Sequence, residues 1–223
     1  MSVSIRPAAK PKIQAEVNLV ATVDRTGSTQ RFAQGVKDCL PLILKPIEKK
    51  AAKVAVSLHS HGDLDEGQAP ILLTDRGSVD QAILDVATIV FGGGGDPPEN
   101  HLDQIEHLMH SSMWLSDPRR GHDALLLICT ADSKPARSGK SARELGEELR
   151  QRRIQLYAIC EMTPVLHELV TAAGGCIFPI SNNPDTAEMA RIAADVARSI
   201  TQTAETGAPT LPRVGAPTAG PAK

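Results

Sequence analysis

Apolar and polar positions divide the chain into alternating blocks. Residues 17–23 (VNLVATV) form a nearly continuous apolar run, the mark of a strand covered on both faces. Residues 53–59, 124–129, 154–160 and 176–180 repeat that texture, and 71–74 is a shorter run suited to a sheet edge. Between them lie stretches with apolar residues three and four apart, which predict helices over 28–50, 79–90, 100–114, 142–153, 164–173 and 186–203. Pro41 and Pro46 should kink or split the first of these. Gly174–Gly175 supplies a left-handed helix stop before the last strand.

This order predicts an α/β fold, a doubly wound, mostly parallel six-stranded sheet with helices on both faces and a Rossmann-like architecture. In such sheets ligands gather beyond the carboxyl ends of the strands, where the winding reverses. Residues 15–203 are expected to form this domain. Residues 1–14, rich in Pro, Lys and Ala, and 204–223, rich in Pro, Gly, Ala and Thr, are expected to be a flexible lead-in and a disordered tail.

Composition narrows the function. Aromatics are 2% of the 223 residues, so the core must be aliphatic, as parallel sheets prefer, and base-stacking surfaces for nucleic acid are scarce. A formal net charge of −2 gives no basic field toward nucleic acid or anionic lipid. The four cysteines, Cys39, Cys129, Cys160 and Cys176, form no C-x-x-C pair, and two of them lie inside apolar runs. No secretory leader and no membrane-spanning run is visible, and a cytoplasmic location is expected.

Three loops at predicted strand ends carry the chemistry. Asp24-Arg-Thr26-Gly-Ser28 sets a carboxylate and two hydroxyls at alternate positions. Hard oxygens grouped in this way suit Mg²⁺. The second loop, Gly92 to Gly95 followed by Asp96-Pro-Pro-Glu99, combines a pliant backbone with acidic residues at a helix start. Pro97 and Pro98 should open that helix. The third, Thr130-Ala-Asp132, offers another carboxylate. For each of these residues the alternative reading is a helix cap.

Together these loops resemble the metal-ion-dependent adhesion site of von Willebrand factor A domains, over residues 15–202 of the chain. Asp24, Thr26 and Ser28 are similar to the first motif. Gly93 to Glu99 looks like the GGGDxPE second loop of a subset of members, and Asp132 looks like the third-loop acid. The resemblance implies Mg²⁺ (or Mn²⁺ or Ca²⁺) at Asp24, Thr26, Ser28, Asp96 and Asp132. It implies an adaptor that binds an Asp or Glu of a protein partner and catalyses nothing. It points to bacterial systems built around a MoxR-type ATPase, or around a protein kinase and PP2C-type phosphatase. Many members place a Thr in the second loop as a direct ligand, where this chain has Asp96. The alternatives are an Mg²⁺-dependent phosphatase or hydrolase using the same acids, and a metal-free scaffold. The Asp-x-Asp-x-Thr motif of haloacid-dehalogenase phosphatases is broken by Thr26.

Other motifs are weaker. Gly139-Lys140-Ser141 lacks the upstream glycine of a phosphate loop, since that position is Lys134. His59 and His61 are expected on the rim of the top face, and His101, His107 and His110 on a solvated helix face. Trp114 is expected to anchor the core.

Overall fold

The computed structural model describes residues 13–94, 97–111, 113–115 and 121–207. The expectations for the two termini fall mostly outside these residues, as does the expected ligand Asp96. Six strands form one sheet: β1 Ile13–Asp24, β2 Ala51–His61, β3 Ile71–Gly77, β4 Gly121–Ile128, β5 Ile154–Cys160 and β6 Cys176–Pro179. Their spatial order is β3-β2-β1-β4-β5-β6, with only β3 antiparallel to its neighbour. The expected doubly wound sheet and its edge strand are what the chain forms.

The helices are α1 Gly27–Gln30, α2 Ala33–Lys50, α3 Val79–Val86, α4 His101–Met109, α5 Ala142–Gln151, α6 Pro164–Ala173 and α7 Thr186–Thr206. Side chains alternate across each strand, so β1 feeds two cores. Val17, Leu19, Ala21 and Val23 pack under α2, α3 and α7. Val20 joins Leu125 and Leu127 under α4, α5 and α6. The even positions of β1, including Thr22 and Asp24, therefore face the α4 side.

Several boundaries differ from the sequence reading. The break expected at Pro41 or Pro46 falls instead at residues 31–32, and α2 runs through both prolines. Its buried stripe, Val36, Cys39, Leu40, Ile43, Leu44 and Ile47, holds it to the sheet. Both prolines lie off that stripe, so their rings do not intrude on the packing against the sheet. Pro97 and Pro98 do not open α4, which starts at His101 and ends at Met109, five residues before the expected limit. The closing helix runs three residues beyond 203. Trp114 is only half-buried and donates from Nε1 to the Leu108 carbonyl at 2.8 Å, closing the end of α4.

The strand order places the reversal of winding between β1 and β4. The loops after these strands flank the crevice there, with the glycine-rich loop beside them.

Candidate metal centre

Asp24 ends β1 and is fully buried. Its Oδ1 accepts the Thr26 amide at 2.9 Å, and its Oδ2 accepts the Thr29 hydroxyl at 2.6 Å. Burial works against ionisation. In acid, positive charge taken up by the adjacent His101 and His61 rings, together with the bonds from Thr29 and Thr26, outweighs it, so the carboxyl lies below its ordinary range.

The hydroxyls form a connected cup above it. Thr26 Oγ1 and Ser28 Oγ are 3.0 Å apart. Thr29 Oγ1 lies 3.0 Å from Thr130 Oγ1, which reaches Ser28 Oγ at 3.3 Å. Because Thr29 gives its one proton to Asp24, the Thr130 proton is shared between Thr29 and Ser28. Thr26 Oγ1 and Ser28 Oγ thus keep lone pairs able to accept further bonds.

The three loops are laced by backbone bonds. Arg25 N–H donates to His61 O at 2.9 Å, Gly27 N–H to Gly93 O at 2.7 Å, and Gly92 N–H to Arg25 O at 2.8 Å. Glu99 N–H donates to Asp132 O at 2.9 Å, and Lys134 N–H to Glu99 O at 2.7 Å. Gly94 has φ +80°, and a Cβ there would stand 3.0 Å from Thr26 Cβ and 3.5 Å from Glu99 Oε1. Glycine is needed at this point both for the left-handed backbone and for its approach to the cup.

Glu99, which in the sequence is only an acid ahead of a helix, stands beside the cup. It is 1% exposed, its carboxylate lies against the Thr26 hydroxyl, and its Oε2 has no hydrogen-bond partner among the described residues. Burial raises its pKa to about 7, reinforced by Asp24 and Asp63 and opposed by Thr26 and Lys134. In sequence, an acid just ahead of a helix reads as an ordinary N-terminal charge. Only the fold reveals that it is buried. Thr130 opens the loop that carries Asp132, and in the sequence its hydroxyl is not distinguished from any other loop hydroxyl.

Asp132 is half-buried, and its Oδ1 accepts the Ser133 amide at 2.9 Å and the Thr163 hydroxyl at 2.6 Å. That ties it to the start of α6.

Two expectations about histidines are overturned. His59 and His61 are 4% and 2% exposed and lie beneath the top face instead of on its rim, and His101 is fully buried. The cause is the α4-facing side of β1, where polar Thr22 and Asp24 recruit polar partners. Gln104 Nε2 donates to Thr22 Oγ1 at 3.1 Å, and Thr22 Oγ1 lies 2.8 Å from His61 Nδ1. His61 Nε2 lies 3.0 Å from His101 Nδ1. Because the neutral His101 ring spends its one N–H on the Ala131 carbonyl side, its Nδ1 accepts from His61 Nε2–H, and His61 Nδ1 accepts the Thr22 proton. His101 then turns its Nε2–H toward the Ala131 carbonyl in a loosely aligned contact. Burial keeps both rings neutral, His61 at about 3. His107 and His110 are exposed, as expected.

Around the rim, Lys134 bridges buried Asp63 at 3.1 Å and Asp65 at 2.7 Å, and Arg137 pairs with Asp65 at 2.7 Å. These pairs tie the loop after β2 to the loop after β4. Among the described residues no three His, Cys, Asp or Glu side chains form a ready-made metal cluster. The donor set is instead two buried carboxylates and a group of hydroxyls. No helix among the described residues is long and apolar enough to cross a membrane.

No family model and no curated protein matches the sequence. Among solved structures, the crystal structure of the SpRpn10 VWA domain is similar at a TM-score of 0.59 and 12% identity, covering 80% of this chain and 93% of that one. With its six-stranded sheet and its helices on both faces, the chain has the fold of a von Willebrand factor A domain.

Proposed function

We propose that this chain is a protein-interaction module that holds a divalent cation in the cup of Asp24, Thr26, Ser28 and Glu99 and through it receives an Asp or Glu of a partner protein. The observation that carries the reading is the placement of a buried, ionised carboxylate and linked hydroxyls at the carboxyl ends of β1 and β4, where the winding of the sheet reverses. Fold alone does not assign a function, so the donor chemistry matters more. The donors fit a hard cation such as Mg²⁺ or Mn²⁺: all are oxygens, and Glu99 Oε2 is a buried acceptor without a donor among the described residues.

A bound Mg²⁺ would supply a Lewis-acidic position open to a carboxylate from outside. Asp24 contributes charge while its oxygens hold the Thr26 amide and Thr29 hydroxyl in place. Gly94 keeps the second loop close without filling the cup. Asp132, fastened to Thr163, links the third loop to α6.

Binding without turnover is supported by the fate of the potential bases. The His61 and His101 rings are buried below Asp24 and engaged with Thr22, with each other and with the Ala131 carbonyl, away from any group a substrate would present. A MoxR-type ATPase, or a component of a kinase and PP2C-type phosphatase system, is the first partner to try. The experiment is a pull-down with the purified chain in Mg²⁺ and in EDTA, repeated with Thr26→Ala. Capture should fall about tenfold or more, equivalent to about 1.4 kcal/mol, in EDTA or with the variant. Equal capture in all three would place the partner surface elsewhere.

A further inference from the structure

We infer that a small pocket between the loop after β2 and α4 binds an organic cation on a short aliphatic stem, the head of an arginine or lysine side chain from a partner or of a small free amine. The pocket shares no residue with the oxygen cup and needs no divalent ion. It holds about 290 Å³, at the small end for ligand sites, which suits one head group and its stem.

One side of the pocket comes from α4 and the residue before it. Asn100, Asp103, Gln104 and His107 recur at intervals of three and four, so a single stripe lines it. Leu64 and Pro70 of the loop after β2 supply the apolar lining, and the buried His61 ring joins them. Both nitrogens of that ring are engaged, with Thr22 and His101, and burial keeps it neutral. His61 therefore offers a ligand ring surface and no charge.

The polar capacity left over is that of acceptors. Gln104 is 2% exposed. Because Thr22 gives its proton to His61, Gln104 meets Thr22 through its amide N–H, and its Oε1 has no donor among the described residues. A buried amide oxygen in that state is costly until a donor reaches it. Asp103, half-buried, accepts the Arg137 amide on Oδ1 at 2.7 Å and Asn100 Nδ2–H on Oδ2 at 3.1 Å, which leaves about two of its roughly four lone-pair sites. Among the described residues no ion pair reaches it: the Arg137 guanidinium is held by Asp65, and the Lys134 ammonium by Asp63 and Asp65. No Lys or Arg lines the pocket. An anion would meet the Asp103 charge, and a purely apolar group would leave Gln104 Oε1 unmatched. A guanidinium or ammonium has donors enough for both acceptors, while its stem covers Leu64, Pro70 and the His61 ring.

Titration of the isotope-labelled full chain in EDTA, followed through its amide nuclear magnetic resonances, tests the assignment. The probes are butylguanidine, N-acetyl-arginine amide and butyrate. Butylguanidine should bind saturably and shift the resonances of Leu64, Asp103 and Gln104, and butyrate should not. Binding of the capped arginine as well assigns the pocket to a partner's side chain, and its exclusion assigns it to a free amine. Among variants first shown to be folded by their thermal transitions, Asp103→Asn should weaken butylguanidine about threefold or more, and Gln104→Met about tenfold or more. Should Gln104→Met fail to fold, Asp103→Asn carries the test. No saturable binding, equal binding of butyrate, shifts that leave Leu64 and Gln104 unmoved, or undiminished binding by the folded variants overturns the assignment. With no divalent ion present, each of these results is independent of the oxygen cup.

Discussion

Replacing Glu99 by Gln should reverse the chain's stability ranking between EDTA and Mg²⁺. Without a cation, the buried carboxyl titrates near 7, against an ordinary 4.5. At about 1.4 kcal/mol per pKa unit, the ionised form costs the fold about 3 kcal/mol. The sign follows from proton binding. The folded carboxyl holds its proton more tightly than the unfolded one, so its penalty is absent below about pH 4.5, grows as pH rises, and is complete above about 7. Glutamine removes the charge but leaves an amide that must find partners, at about 1–2 kcal/mol. The net gain at pH 8 in EDTA is then about 1–2 kcal/mol, or about 2–8 °C in the thermal midpoint for a chain of this size. In Mg²⁺ the order inverts. A cation at about a hundred times its dissociation constant stabilises the wild type by about 2.7 kcal/mol, and the variant, lacking the carboxylate, gains far less. Thermal unfolding of both proteins at pH 8 and pH 5, with EDTA and with Mg²⁺, reads all of this. If Glu99→Gln is less stable than wild type in EDTA at pH 8, and the gap does not change at pH 5, the burial argument for Glu99 is wrong.

Two other outcomes follow from the same geometry. Gly94→Ala should weaken cation binding about tenfold or more by calorimetry, with far-ultraviolet circular dichroism unchanged, because the backbone there is left-handed at φ +80° and the added methyl meets Thr26. The fold should also lose stability in mild acid. His59, His61 and His122 are held by burial at about 4, 3 and 4, below their ordinary 6.5, so the unfolded chain takes up protons first. In the Glu99→Gln protein, which lacks the opposing Glu99 titration, urea midpoints should be insensitive to these groups above about pH 6.5 and fall steadily as pH drops toward 4; a rising midpoint over that window would refute the buried-neutral assignment.

The sheet was readable because its strands are nearly pure aliphatic runs, and a strand such as residues 154–160 can only be covered on both faces. The cup's first part was readable because Asp24, Thr26 and Ser28 are local, set two residues apart on one loop. What escaped was everything that depends on contacts across the chain. Glu99 and His101 sit at a helix start, where acids and histidines are common on the surface, and only the α4-facing side of β1 buries them. Pattern alone cannot state that Thr22 bonds His61 thirty-nine residues away. The helix ends slipped for a different reason. Helical periodicity continues past Met109, but α4 stops where Ser111 and Trp114 both bond back to the Leu108 carbonyl.

The most direct test of the account is titration of the purified chain with Mg²⁺ while its thermal midpoint is followed. The account predicts a saturable rise that EDTA reverses and that is lost in Thr26→Ala. A midpoint unmoved through millimolar Mg²⁺ and Mn²⁺, with no heat of binding, would contradict it and leave the oxygen cup as a structural knot between three loops.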